Sequence, residues 1–262
     1  MATRAFLLIA DIGGYTRFMK VHRINLAHAQ HIVAQLLEAV IDGAGDLKLA
    51  KLEGDAAFFY GTVKQTGDLT KYLSLVAEIR KQFLAKRESL VVNRLCNCDS
   101  CMQAGQLKLK FVAHEGEVAF QKVKSHTELA GVDVIYVHRL LKNEVPVTEY
   151  ILMSDSVHSA LESSVSWKAN AIEHELEGLG ASKQFWADLL EVGNDFPKPP
   201  PPTFWRRLTA WLKMTWMVLP YFMGTKQACV GFRNMTENGI LPPKPETTPS
   251  VLPPGLDSES ES

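Results

Sequence analysis

The chain opens with a short apolar run, Phe6 to Ala10, that ends at Asp11 with Gly13 and Gly14 just beyond. Bounded in this way, the run predicts a buried strand. Leu26 to Ile41 carries Ile32, Val33, Leu36, Leu37 and Val40 at helical spacing and stops at Gly43, so it predicts a helix. Leu47 to Leu52 alternates apolar and polar residues, and Ala56 to Tyr60 follows Gly54 and Asp55. The two predict a β-hairpin. Leu69 to Leu84 predicts a second amphipathic helix, after which a polar segment with cysteines, Asn93 to Gln106, interrupts the pattern.

Leu107 to His114 predicts another strand, with Glu117 to Val123 as its partner after Gly116. Val134 to Leu141 has helical spacing, Tyr150 to Met153 is a short apolar strand, and Ser154 or Asp155 suits a helix N-cap. Ala169 to Leu176 and Lys183 to Leu189 predict a last hairpin around Gly178 and Gly180. The order β-α-β-β-α-β with a C-terminal hairpin predicts an α+β, ferredoxin-like domain: an antiparallel-rich sheet with helices packed on one face.

Composition changes the picture only beyond residue 192. The tract Pro197 to Pro202 favours an extended polyproline conformation and predicts a linker over 193–203. A Trp-rich helical segment is expected over 204–240. From Pro242 the chain is Pro, Ser, Glu and Thr with few aromatics, so 241–262 is expected to be disordered. The stretch 204–223 includes Trp205, Trp211 and Trp216 with Arg206, Arg207 and Lys213. Its apolar part, Leu208 to Met223, is interrupted by Lys213 and Pro220 and is shorter than the ~20 residues of a spanning helix. Trp with basic residues suits peripheral membrane contact; a helix packed back onto the domain or across a dimer is the reading preferred over it.

Across 262 residues, 46% are hydrophobic, 22% are charged, and the formal net charge is -1. That balance lacks the strongly basic footprint of a nucleic-acid binder. The N-terminus reaches Asp11 without a long apolar stretch, so no secretory signal is expected, and the setting is expected to be cytoplasmic and reducing. Four cysteines are too few for a disulfide-stapled domain. Three of them, Cys96, Cys98 and Cys101, fall within six residues and are candidate ligands of a structural zinc. Cys229, His126 or His114 are candidates for the fourth ligand; free thiols in a loop account for the cluster as well.

Several short segments carry candidate chemistry. Asp11-Ile12-Gly13-Gly14-Tyr15-Thr16 is an acid at a strand end, then an aliphatic residue, Gly, an aromatic and Thr. Lys51-Leu52-Glu53-Gly54-Asp55 is a Lys-x-x-Gly-Asp hairpin, and His114-Glu115-Gly116 is a His-x-Gly strand turn. Gly131 to Arg139 places an arginine at the end of a helix, and Leu176-Glu177-Gly178 lies in the last hairpin. In this order over about residues 5 to 190, the segments resemble the class III adenylate/guanylate cyclase homology domain, placed at 1–192 with 93–106 as an insert. The cysteine cluster and the run His138 to Asn143 resemble a bacterial cyclase-like subfamily without assigned function.

The resemblance implies ATP as substrate and cyclic AMP as product. It implies two divalent ions, Mg²⁺ or Mn²⁺, held by Asp11, Asp55 and the Ile12 carbonyl. It implies adenine recognition by Lys51, with Glu128 near the family's adenine-contacting acid, and Arg139 on the charge developing at the α-phosphate. It also implies a head-to-tail homodimer in signal transduction, with each site shared between two chains. Ordinary structural roles also fit these residues: Asp11 as a cap, Asp55 as a turn residue, Lys51 and Glu128 as solvated charges, Arg139 in an ion pair. Ile135 stands where the family has a ribose-orienting asparagine, and Glu177 where it has a triphosphate-binding lysine. Losing one oriented donor costs roughly a hundredfold or more in rate. Two functions therefore follow: a slow adenylate cyclase, or a nucleotide-binding or interaction module without turnover.

Overall fold

The computed structural model describes residues 2–19, 23–94, 99–161, 167–191 and 196–225. Strand β1, Thr3–Gly13, is buried at every position from Ala5 to Ala10. An unbroken apolar run needs cover on both faces and a partner on both edges. β1 accordingly lies between β3 (Ala56–Thr62) and β4 (Lys108–Val123), antiparallel to each. β2 (Lys48–Glu53), β6 (Tyr150–Ser154), β7 (Asn170–Leu176) and β8 (Gly180–Asp188) complete the order β2-β3-β1-β4-β6-β8-β7. β4 and β6 are parallel, and β5 (His126–Ala130) pairs with the far half of β4. This is the expected α+β sheet with its extra C-terminal hairpin.

Two expectations need correction. Gly116 was expected to turn the chain between two strands, but β4 is one strand of 16 residues passing straight through it. The glycine is needed for space: a Cβ at 116 would lie 2.2 Å from Cγ of Asp133. The helices also cover both faces of the sheet. Helices α2 (Arg23–Gly43) and α3 (Thr66–Val92) pack on Phe6, Leu8 and Ala10 through Ile32, Leu36, Val76, Ile79 and Phe83. Helix α5 (Val132–Arg139) covers Leu7, Ile9, Val112 and Leu152 on the other face with Val137. The continuous apolar character of β1 demands this arrangement, because Leu7 and Ile9 would otherwise face water.

The remaining helices are α1 (Tyr15–Met19), α4 (Asp99–Gln103), α6 (Asp155–Leu161) and α7 (Phe204–Phe222). α3 extends beyond the predicted span at both ends; its start is fixed by Asp68, whose carboxylate accepts from the Lys64 and Gln65 amides at 2.8 and 3.1 Å. Residues 197–203, which hold the proline tract, form neither helix nor strand. α7 packs against α2, and Arg207 donates to the Arg94 carbonyl at 3.2 Å. Trp205, Leu212, Trp216 and Leu219 recur along α7 at helical spacing and are exposed. No helix among the described residues is long and apolar enough to cross a membrane.

One buried charge cluster ties the layers together. Glu149, 2% exposed, receives Arg80 at 3.2 Å and Arg87 at 3.7 Å from α3 and Lys108 at 3.5 Å from β4. Arg87 also donates to the Leu107 carbonyl at 2.7 Å.

Candidate functional site

The α5 face of the sheet gathers most of the residues singled out from the sequence. Asp11 follows the buried run Ala5 to Ala10 of β1, opposite Ala56 on β3 and Lys110 on β4. Asp55 lies in the β2–β3 turn, which Gly54 makes with a positive φ of 68°. The Ile12 amide donates to the Asp55 carbonyl at 3.1 Å, holding the turn against the end of β1. Burial, and then the charge of Asp11, push the Asp55 carboxyl up to about 6. Two acids expected to lie at neighbouring strand ends are thus close enough to feel each other. Asp11 also touches Lys110, a group not singled out from the sequence. The Lys110 ammonium lies 2.8 Å from Oδ2 of Asp11. Burial alone would lower the Lys110 pKa, but its bond to Asp11 outweighs burial and holds the amine above its ordinary value. Tyr15 is raised by burial and by Asp55, and the Tyr150 hydroxyl donates to Oδ1 of Asn143 at 2.9 Å.

Asp11, Asp55 and Lys110 leave one uncompensated negative charge when both acids are ionised. An oxygen-ligated divalent cation would relieve it, and Asp11 and Asp55 are the carboxylates that would hold one. No group of three or more His, Cys, Asp or Glu placed to hold a metal ion occurs among the described residues. The sign of the Asp55 shift predicts its own test. Because its folded-state value of about 6 lies above the ordinary 3.8, its contribution to stability is complete below the lower value and is lost as pH rises through the upper one. Asp55→Asn is therefore expected to raise the melting temperature of metal-free protein at about pH 7.5, with a smaller effect at about pH 5. Equal changes at both pH values in a thermal melt would contradict the assignment.

Lys51 lies on the same face, paired with Glu53 at 2.8 Å. That hydrogen bond raises the Lys51 pKa, with a smaller contribution from Glu128 on β5, so Lys51 and Glu128 are within electrostatic reach of each other. His138 of α5 meets the same Glu53 oxygen at 3.1 Å. Burial would push Glu53 up, but Lys51 and His138 together hold it below the usual carboxylate range. Arg139 forms an ion pair with Glu177, the residue standing where the family has a lysine. Ile135 is half-exposed on α5. His114 bonds Asp133 at 2.9 Å, and burial, outweighing Asp133, pushes its imidazole down. Asp133 also accepts from the Glu117 amide at 2.6 Å, which locks α5 to β4.

Glu53 and His138 sit inside segments read from the sequence, and alternation along β2 was the available sign that Lys51 and Glu53 share a face. Lys110 gave no local sign, because its meeting with Asp11 depends on the β1–β4 register. Of the candidate zinc ligands, Cys96 and Cys98 lie outside the described residues, as does Cys229. Cys101 is buried, with Sγ 3.8 Å from Nδ1 of His28. His114 is occupied with Asp133.

Comparison with known structures defines the class: this is the class III adenylyl/guanylyl cyclase fold. The adenylyl cyclase CyaB from P. aeruginosa superimposes with a TM-score of 0.56 at 14% identity, over 71% of this chain and 94% of that one. A bacterial light-regulated adenylyl cyclase gives 0.53 at 14% identity, over 71% and 90%. The guanylate cyclase domain of RhGC from Catenaria anguillulae, solved in complex with GTP, gives 0.50 at 12% identity, over 71% and 97%. Within that fold, residues 33–150 match the family model described as "Protein of unknown function (DUF2652)". Over 203 residues the chain is 48% identical to the uncharacterized protein Rv2561/Rv2562 of Mycobacterium tuberculosis (strain ATCC 25618 / H37Rv), covering 78% of this chain and 94% of that protein. The chain belongs to the same family as this mycobacterial protein.

Proposed function

We propose that the chain is a purine-nucleotide-binding signalling module on the cyclase fold, in which the groups needed for cyclisation are engaged by the chain's own side chains. The observation that carries this is a set of three pairings. Asp11 is bonded to Lys110, Lys51 to Glu53, and Arg139 to Glu177. Three of the residues matched to metal-, base- and phosphate-handling roles thus already have an opposite charge on them, while Asp55 is in none of these pairs. Ile135 adds an apolar side chain where a ribose-orienting amide would be needed. Binding remains within reach, because the pairs Lys51–Glu53 and Arg139–Glu177 are each partly open to water, which weakens them and lets them exchange partners.

In this reading Lys51 and Glu128 face the purine, and Asp11 and Asp55 hold one Mg²⁺ or Mn²⁺. That ion supplies positive charge to the polyphosphate. Lys110 holds Asp11 in place from the β4 side. The chain acts as a homodimer, with the site shared head to tail. Val132 and Ile135 of α5, 64% and 51% exposed, are apolar groups that such a partner would cover.

Calorimetric titration of the purified chain with ATP and with GTP, each with Mn²⁺, tests the proposal. We expect saturable binding that requires the ion and weakens at least about tenfold in Asp55→Ala, a loss of about 1.4 kcal/mol or more. No binding of either nucleotide, with or without Mn²⁺, would reject it. Slow cyclisation of ATP is the second reading. The coupling of Asp11 with Asp55 favours it, since paired acids of this kind attract a catalytic cation.

A further inference from the structure

A second cleft lies on the opposite face of the molecule from Asp11 and Asp55, where α7 crosses α2 and the end of α3. It encloses about 270 Å³. Its charged lining is of one sign: Arg94 after α3, and Arg206 and Lys213 on α7. No acidic side chain among the described residues lines it. Its apolar wall includes Ile32, Leu90 and Trp211. Arg94 is anchored by donation to the Cys101 carbonyl at 3.4 Å, and its own carbonyl accepts from Arg207 of α7 at 3.2 Å. His31, also in the lining, is pushed down by burial and by the charge of Lys213, although Glu38 acts the other way.

Three cations line one cavity, and no acidic side chain among the described residues of its lining offsets them. An anion in the cleft would. The apolar wall beside the charges asks for more than an inorganic ion: it offers burial to a hydrocarbon or aromatic body. The volume is near the lower end of ligand pockets, about 300–1,000 Å³, so the body must be compact. We propose that this cleft binds a compact amphiphilic carboxylate, its head group held by Arg94, Arg206 and Lys213 and its apolar body lying between Ile32, Leu90 and Trp211. Because the walls come from both α7 and the core helices, the bound acid fastens α7 to α2 and α3. The site is separate from the nucleotide site and does not depend on it.

The test uses the full-length chain and calorimetry with octanoate and phenylacetate. Octanol, 2-phenylethanol and acetate serve as controls for the head group and the body. At least one of the two acids is expected to bind saturably, at least about tenfold more tightly than its alcohol and than acetate. Arg206→Gln with Lys213→Gln should weaken that binding about tenfold or more. Both residues are exposed, so the double variant should keep the far-UV circular dichroism of the wild type and its response to ATP. Neither acid binding, an alcohol binding as tightly as its acid, or unchanged affinity in the folded double variant would each overturn the proposal.

Discussion

Glu149→Gln is expected to lower the free energy of unfolding by about 3–5 kcal/mol, the usual cost of stranding a buried charge partner. Arg80 and Arg87 reach Glu149 from α3, and Lys108 from β4, and the Glu149 and Arg80 side chains are 3% and 6% exposed. Removing the one acid leaves the buried Arg80, the part-buried Arg87 and the more exposed Lys108 without their shared carboxylate. Glutamine keeps the shape and some hydrogen bonding, so the loss isolates charge. Urea denaturation followed by circular dichroism measures it. The companion variant Arg80→Met with Glu149→Leu removes opposite charges together and should recover a large part of the loss. A change below about 1 kcal/mol for Glu149→Gln would mean that the cluster is well solvated, contrary to its burial.

Gly116→Ala should be nearly as damaging, although it adds one methyl group. The new Cβ would lie 2.2 Å from Cγ and 2.4 Å from Oδ2 of Asp133. Asp133 must move, and it then releases the Glu117 amide and the buried His114 imidazole. Stranding His114 costs about 1–3 kcal/mol, and the forced repacking costs about 1–3 kcal/mol more. Asp133→Ala in the same chain removes the clash, so the double variant should be more stable than Gly116→Ala alone. The same denaturation experiment reads this, and strictly additive losses would contradict the contact. The functional consequence follows from position. Asp133 opens α5, and α5 ends in His138 and Arg139, so a displaced Asp133 moves the groups that meet Glu53 and Glu177.

Much of this was legible along the chain because strands and helices announce themselves locally. The run before Asp11, the turn at Gly54 and the periodicity of α2 and α3 each depend on near neighbours, and each element formed. Gly116 was misread for a physical reason. A glycine in a strand signals either a turn or a close approach, and only tertiary placement of Asp133 decides which. The cover of both faces was implicit in the unbroken apolar run of β1, but the identity of α5 as the second cover depended on the path of the chain after β4. At the candidate site, the individual residues were legible and their partners were not. Lys110 meets Asp11 only through the register of two strands separated by about a hundred residues, and Arg139 meets Glu177 only because β7 returns beside α5. Sequence spacing names candidate chemistry; pairing of charges across the sheet decides whether that chemistry is available.

Turnover depends on that availability. Purified full-length chain incubated with ATP, and separately with GTP, in the presence of Mn²⁺ should yield no cyclic nucleotide above the background of Asp55→Ala, as read by mass spectrometry. Cyclic AMP or cyclic GMP formed by the wild-type chain and abolished by either Asp11→Ala or Asp55→Ala would contradict it.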